Sequence, residues 1–226
     1  MARRGLKHLV GTCFTEPLGQ PVKIVAAGPP LAEARQMLGD VDGVALVELP
    51  TNDSWRRDSG PVFLAPQPGR EALPAAAVAF GYNAWGGKYP PWDDDAALGG
   101  RIAASLGMRV FSGPLVLEGG AIDTDGAGTL LANRLCVVDE RRNPGKSADE
   151  IAAQLGDSLA IERVIWTVGD LAGDDTDGPI DQPARFVAPG RVPAARQPHP
   201  PDPTHGSHPS TQALLPARTG SPGQPP

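Results

Sequence analysis

Short apolar runs, separated by turns rich in Gly, Pro and Asp, repeat through the first 191 residues of the chain. Continuous or alternating apolar runs predict strands, and apolar residues at helical spacing predict helices. The predicted strands lie at residues 21–27, 44–49, 62–65, 76–80, 109–111, 115–117, 128–132, 163–167 and 184–187. The predicted helices lie at residues 31–38, 93–106 and 148–159, and a loop is predicted at 81–92. Strands and helices that alternate in this order are typical of the α/β class.

Two of the predicted helices begin with recognisable signals. Ser147 precedes the helix at 148–159, and Glu150 follows three residues later, which is the spacing of a capping box. The helix at 93–106 begins with three aspartates, whose negative charges are favourable at a helix N-terminus. The order of the elements also indicates a module of roughly 60 to 70 residues that is used more than once.

The composition changes sharply at about residue 192. Residues 192–226 are rich in Pro, Gly, Ser and Thr, and their only bulky apolar pair is Leu214 and Leu215. Such a segment cannot bury enough apolar surface to offset the entropy that it would lose on ordering. We therefore predict a folded domain at residues 1–191 and a disordered tail at residues 192–226.

The charge balance and the cysteines narrow the functional classes. The sequence has 26 acidic and 20 basic side chains, a net charge of −6, whereas a nucleic-acid surface normally needs a basic stripe. No apolar run is long enough to span a bilayer. Cys136 lies in the apolar, strand-like run 135–138, and Cys13 has no nearby base, so neither is predicted to be an activated thiolate. We expect no nucleic-acid partner, no membrane partner and a cytoplasmic location.

Two carboxylate-rich segments predict one binding site for a small cation. The segment at 51–61 combines Trp55 and Asp58 with two arginines. The segment at 173–178 holds three aspartates and is followed by Asp181. A planar guanidinium is best held by carboxylates that accept paired N–H bonds, so Asp58 and Asp181 are its candidate partners, and Trp55 offers a face for stacking. The alternative is that the acids of the first segment satisfy backbone groups in a turn.

Two further features extend this interpretation or compete with it. Glu118 follows an apolar strand and precedes two glycines, which places a carboxylate where it can meet the far end of a cationic ligand. The alternative for Glu118 is an ordinary exit from a strand into a turn. The aspartates of residues 174–181 also suit a divalent cation, although their spacing matches no standard calcium loop.

Taken together, these segments resemble the agmatine deiminase family, which belongs to the guanidine-modifying superfamily that includes the bacterial peptidyl-arginine deiminases. The resemblance covers about residues 20–191, and its segments occur in the family's order. They are residues 49–61, 83–87, 90–93, 117–120, 141–144 and 173–178. Each segment is modest support by itself, whereas the ordered set is highly specific.

The resemblance implies a partial α/β propeller of the pentein type, built from ββαβ modules, with about three of the family's five blades present. It implies hydrolysis of agmatine to N-carbamoylputrescine and ammonia on the way to putrescine, by a Cys nucleophile and a His proton donor, with no metal or organic cofactor. Two aspartates hold the guanidinium in such enzymes, and by motif these are Asp58 and Asp181. The residues that match pocket-lining positions are Trp55, Glu118, Asp175 and Thr176.

The chain departs from the family pattern at three places. The family's acidic loop continues Asp-Gly-His-Val-Asp, whereas residues 177–181 here place Pro179 at the position of the His. Proline has no titratable nitrogen and cannot transfer a proton. The Gly-rich segment with the nucleophilic Cys has no counterpart, and the first module is incomplete. The resemblance therefore implies an inactive member, with a non-catalytic guanidine-binding protein as the alternative, and open sheet edges predict self-association.

Overall fold

Three small sheets, each with a helix between its last two strands, form the described part of the chain. It comes from a computed structural model and comprises residues 21–66, 69–167 and 184–193. The strands are β1 (Val22–Ala26), β2 (Val44–Glu48), β3 (Val62–Leu64), β4 (Ala76–Gly81), β5 (Arg109–Val116), β6 (Ile122–Thr124), β7 (Thr129–Asn133) and β8 (Arg163–Thr167). The helices are α1 (Gly28–Leu38), α2 (Arg56–Ser59), α3 (Ala84–Gly87), α4 (Asp93–Ser105), α5 (Arg134–Val137) and α6 (Ala148–Leu159), and Gly119–Ala121 forms a 3-10 turn.

Two consecutive segments repeat one ββαβ arrangement. In the first, β3 pairs antiparallel with β4, and β4 pairs in parallel with β5 after helix α4. In the second, β6, β7, α6 and β8 repeat the same pairings. A third sheet joins β1 and β2 in parallel after helix α1, which corresponds to the last three elements of a module. The structure confirms the α/β class and the repeated module, and the number of blades stays a prediction.

The sheet of β6, β7 and β8 is covered on both faces. Because side chains alternate along a strand, Leu130 packs in one cluster with Ile151 and Leu155 of helix α6. Its neighbour Leu131 points to the other face and packs with Ala184. Full burial of a leucine contributes about 1.5–3 kcal/mol to stability, so this module is a firm support for the turns at its ends.

Most of the predicted elements occur within one or two residues of their predicted bounds. Helix α6 matches residues 148–159, and strand β8 matches residues 163–167. The predicted capping box is present, since the Ser147 side chain accepts from Glu150 N and the Glu150 side chain accepts from Ser147 N. The strands predicted at 109–111 and 115–117 form the single strand β5.

Two predicted strand segments are wrong. Residues 135–138 do not extend as a strand, because the Asn133 side chain accepts a hydrogen bond from Leu135 N at 2.8 Å and caps helix α5. Residues 184–187 do not form a regular strand either: Val187 N donates to the Arg191 carbonyl oxygen at 3.0 Å in a short turn, and Phe186 N donates to the Asp123 carboxylate at 2.6 Å. In both places a side-chain oxygen accepts a hydrogen bond from a backbone N–H group that would otherwise be available to a neighbouring strand.

Several predictions fall on residues outside the described ranges. These residues are 1–20, 67–68, 168–183 and 194–226, so only Val192 and Pro193 of the predicted tail are described. Within the described ranges, the longest helix has 13 residues, and no helix has the length and apolarity that crossing a lipid bilayer requires. The two-part division of the chain at residue 191 therefore stays a prediction.

Helix α6 ends at a residue whose backbone favours glycine. Ala160 follows the helix with φ +55° in the left-handed region, where an alanine costs roughly 1 kcal/mol. We expect Ala160→Gly to raise the free energy of unfolding by about 0.5–1 kcal/mol. The matched control is Ala153→Gly on the exposed side of the same helix, which should lower it by about 1 kcal/mol. Urea unfolding measures both, and a destabilising Ala160→Gly would contradict the assigned backbone conformation.

Candidate functional site

The last strand of a module leads the chain into a turn that holds acidic residues. Strand β2 leads into the first acidic loop, which we define as residues 49–60 and which contains Trp55 and Asp58. Strand β5 leads into the Glu118 turn, which we define as residues 117–121. Each then passes through a short helix or 3-10 turn into the first strand of the next module. The repeated module therefore places the two acidic turns at equivalent positions.

The first acidic loop and the Glu118 turn are in direct contact. Gly120 N donates to Asp58 Oδ1 at 2.9 Å, and Arg57 Nη2 donates to the Ile122 carbonyl oxygen at 3.1 Å. A Cβ atom on Gly119 would lie 2.1 Å from the Arg57 carbonyl oxygen, so the two backbones can approach this closely only at a glycine. The contact holds Asp58 beside the turn that carries Glu118.

Glu118 is buried in an ion pair with an internal guanidinium. Arg142 Nε donates to the two carboxylate oxygens of Glu118 at 2.8 and 3.0 Å. The side chains of Glu118 and Arg142 are 3% and 0% exposed. Removing one partner of such a pair leaves a buried charge, which typically costs about 3–5 kcal/mol. The pair therefore fixes the orientation of Glu118.

The residue after Arg142 fixes the strand that precedes the Glu118 turn. Asn143 Oδ1 accepts from Val116 N at 3.1 Å, and Asn143 Nδ2 donates to the Val116 carbonyl oxygen at 2.9 Å. Asn83 Nδ2 donates to the Arg141 carbonyl oxygen at 2.9 Å, which attaches residues 83–87 to the same support. The described segments that carry the family resemblance are thus linked to one another in space, directly or through a shared neighbour.

Aromatic rings form one side of the site. The Trp55 ring is 54% exposed and meets the buried Trp85 ring edge-on, with centroids 6.0 Å apart. Tyr82 and Tyr89 each pack edge-on against Trp85 at 5.7 Å. Trp85 itself has a left-handed backbone with φ +57°, a strained conformation of the kind that clusters at functional sites. Trp55 is therefore supported from one side and exposed on another, which suits stacking on a flat cation.

The carboxylates of both turns act electrostatically on one buried phenol. Burial raises the pKa of Tyr82 well above its ordinary value, and the negative charge of Asp58, followed by Asp95 and Glu118, raises this pKa further. Tyr82 therefore stays protonated at neutral pH and remains a hydrogen-bond donor. Carboxylates from three separate segments therefore act on Tyr82, and two of them, Asp95 and Glu118, are paired with the guanidinium groups of Arg56 and Arg142.

Of the predicted site residues, Trp55 and Asp58 lie in the first acidic loop, and Asp58 contacts the turn that carries Glu118. Asp175, Thr176 and Asp181 lie outside the described residues, as does Pro179. In the sequence, residues 168–181 follow β8 as the first acidic loop follows β2, and their approach to this site stays a prediction. Local backbone roles also exist for the acids, because Asp53 accepts from Ser54 N and Asp58 accepts from Gly120 N.

Two further observations on the described residues bear on catalysis. Cys136 is 1% exposed, so its thiol is not presented to a ligand. In residues 21–66, 69–167 and 184–193, no group of three His, Cys, Asp or Glu side chains is arranged to hold a metal ion. The sequence reasoning missed Arg142 as the partner of Glu118, although residues 141–144 were among the segments that carry the family resemblance.

Comparison with known proteins gives one consistent family. The model of the Porphyromonas-type peptidyl-arginine deiminases matches residues 9–225. The agmatine deiminase of Pseudomonas savastanoi pv. phaseolicola is 36% identical over 191 residues, which are 82% of this chain and 50% of that protein. The agmatine deiminase of Pseudomonas fluorescens SBW25 is 33% identical over 210 residues, 91% of this chain and 56% of that protein. The chain therefore spans about half the length of the curated relatives that it matches.

A solved structure gives the same result for the fold. Agmatine deiminase of Enterococcus faecalis superposes with a TM-score of 0.85 at 27% sequence identity, and the match covers 97% of this chain and 59% of that one. The mixed α/β fold with repeated modules is therefore the fold of these enzymes, which confirms the predicted fold class.

The contact between the two acidic turns should depend on the glycine at position 119. In Gly119→Ala, the new Cβ atom meets the Arg57 carbonyl oxygen at 2.1 Å, so the turns must separate. We expect the free energy of unfolding to fall by about 1–3 kcal/mol, as for overpacked sites. Gly100→Ala in helix α4 is the matched control, because its Cβ atom meets nothing within 4 Å. Equal stability of Gly119→Ala and the wild type would show that the turns do not touch as described.

Proposed function

The chain belongs to the Porphyromonas-type peptidyl-arginine deiminase family, and on that premise we propose that its site binds the guanidinium group of agmatine. The observation that carries the proposal is the hydrogen bond from Gly120 N to the Asp58 carboxylate. This bond joins the acidic turns of two modules, and the exposed Trp55 belongs to the first of these turns. A carboxylate beside an aromatic face is a suitable environment for a flat, positively charged group.

Each residue of the site has a role in this proposal. Asp58 accepts N–H bonds from one edge of the guanidinium, and Asp181 accepts them from another. Trp55 stacks on the plane of the cation. Glu118, held in an ion pair by Arg142, lines the base of the pocket. A carboxylate oxygen accepts more than one hydrogen bond, so the bond from Gly120 N is compatible with a bound guanidinium at Asp58.

Asp175 and Thr176 complete the proposed pocket. In the sequence they follow strand β8 by eight and nine residues, much as Trp55 and Asp58 follow β2 by seven and ten, and the repeated module supports their approach to the same ligand. The relatives named agmatine deiminase support agmatine as the ligand rather than another guanidine. The family's reaction would convert agmatine to N-carbamoylputrescine and ammonia, a step towards putrescine.

We propose that this 226-residue chain binds agmatine and does not hydrolyse it. Pro179 stands where the family places the His that moves the proton, and its ring nitrogen cannot do so. Cys136 is buried, so its thiol is not presented to a ligand. Loss of an acid/base or nucleophile from a catalytic group that acts as a unit typically costs several orders of magnitude in rate.

Location and assembly follow as parts of the same proposal. A cytoplasmic location is supported by the metabolic nature of the proposed ligand and by the acidic net charge of −6. Self-association is supported by strand β1, which pairs only with β2 among the described strands, whereas β4 and β7 at the same position each have two partners. An open edge of this kind is a template for pairing with another chain.

Agmatine binding should depend on the charge of Asp58. In Asp58→Asn the amide oxygen still accepts from Gly120 N, so the turns stay joined while the charge for the guanidinium is lost. We expect agmatine affinity to fall by about 2–3 kcal/mol, the worth of one or two hydrogen bonds to a charged group, in isothermal titration calorimetry. Asp93→Asn removes an exposed carboxylate from the first turn of helix α4 and is the matched control.

Putrescine is the matched ligand control, because it keeps an amine and lacks the guanidinium. We expect putrescine to bind far more weakly than agmatine. Equal affinity of the wild type and Asp58→Asn for agmatine would contradict the assignment of this carboxylate to the ligand.

Hydrolysis should be absent under the conditions in which agmatine binds. We expect the purified 226-residue chain to release no more ammonia from agmatine than buffer does, measured by a coupled ammonia assay at saturating ligand. The physical reason is the Pro179 substitution together with the burial of Cys136. Steady ammonia release above the buffer rate would show that another nucleophile and another proton carrier serve the reaction.

A further inference from the structure

Helix α4 is capped by a residue from a distant part of the chain. Its own N-cap residue, Trp92, makes no side-chain capping bond. Instead, Asn52 Oδ1 accepts from Asp94 N at 2.9 Å and from Asp95 N at 3.2 Å. These N–H groups at the start of a helix have no partner within the helix itself, so Asn52 of the first acidic loop takes the role of the capping side chain.

Asp95 in turn accepts hydrogen bonds from the first acidic loop. Its carboxylate accepts from Asn52 N and from Asp53 N, each at 3.0 Å. It also accepts from Thr51 Oγ1 at 2.6 Å and from Arg56 Nη1 at 3.2 Å. Asp95 is 3% exposed, so any shift of the loop away from the helix would leave a buried carboxylate short of hydrogen bonds.

The two halves of this arrangement are those of a capping box. In helix α6 the box is local, since Ser147 caps the Glu150 N–H and Glu150 returns a bond to Ser147 N. In helix α4 the third helical residue, Asp95, plays the part of Glu150, and Asn52 plays the part of Ser147 across 43 residues. A local box fixes only the start of its helix, whereas this one also fixes a loop to that helix.

We propose that Asn52 and Asp95 are positioning residues, which set the cation affinity of Trp55 and Asp58 through this long-range capping box. The inference rests on the proposed function of the site. Trp55 lies three residues after Asn52 in a loop with little other regular structure, and helix α2 with Asp58 follows directly. Rigid placement before binding spares a ligand the entropy of ordering the loop.

The test compares two N-cap deletions in the full chain. Asn52→Ala and Ser147→Ala each remove one capping side chain, so both should lower the urea midpoint of unfolding. Only Asn52→Ala should weaken agmatine binding, by about tenfold in calorimetry, an affinity loss that corresponds to a modest free-energy change. Asn52→Ser keeps a good capping oxygen and should restore most of the affinity. Equal affinity losses in Asn52→Ala and Ser147→Ala would overturn the proposal.

A second readout is independent of agmatine. Amide hydrogen exchange of Asp53 N and Gly120 N reports the bonds to Asp95 and Asp58 directly. Asn52→Ala should speed exchange at both amides beyond the change expected from global stability, and Ser147→Ala should not. If the wild type does not bind agmatine, the proposed function fails. The exchange rates of the Asp53 and Gly120 amides then test by themselves whether Asn52 positions the loop. Unchanged exchange at Gly120 N in Asn52→Ala would overturn that role.

Discussion

The backbone contact between Arg57 and Gly119 is the constraint on which the rest of the site depends. It lets Gly120 N reach the Asp58 carboxylate at 2.9 Å, and any side chain at position 119 would occupy the space of the Arg57 carbonyl oxygen. Two modules, each with its own sheet and helix, are thereby joined at their acidic turns. Without this contact, Asp58 and Glu118 would belong to separate loops rather than to one site.

Each functional side chain is held by a partner from another segment. Asp95 and Asn52 hold the loop that carries Trp55. Arg142 holds Glu118, and the Trp85 ring packs edge-on against Trp55. Such an arrangement holds the buried carboxylates of Asp95 and Glu118 in place, because each accepts several hydrogen bonds, including those from an arginine. It also explains why segments that are far apart in the sequence carry the family resemblance together.

The sequence predicted what depends on neighbours along the chain and missed what depends on distant ones. The Ser147–Glu150 capping box could be predicted from the sequence because both partners lie within one turn of helix α6. The Asn52–Asp95 box has the same chemistry, yet no periodicity connects residues 43 positions apart. The apolar residues of the run 135–138 are typical of a strand, but the Asn133 side chain caps this segment as the start of helix α5. Trp55, Asp58 and Glu118 were predictable as residue types, whereas their contacts needed the fold.

The most direct test of the central claim is a crystal structure of the chain with agmatine bound. The account predicts the guanidinium within hydrogen-bond distance of the Asp58 carboxylate and against the face of Trp55, with Asp175, Thr176 and Asp181 around the same ligand. Agmatine bound elsewhere, or residues 173–181 on the opposite side of the molecule from Trp55, would contradict it.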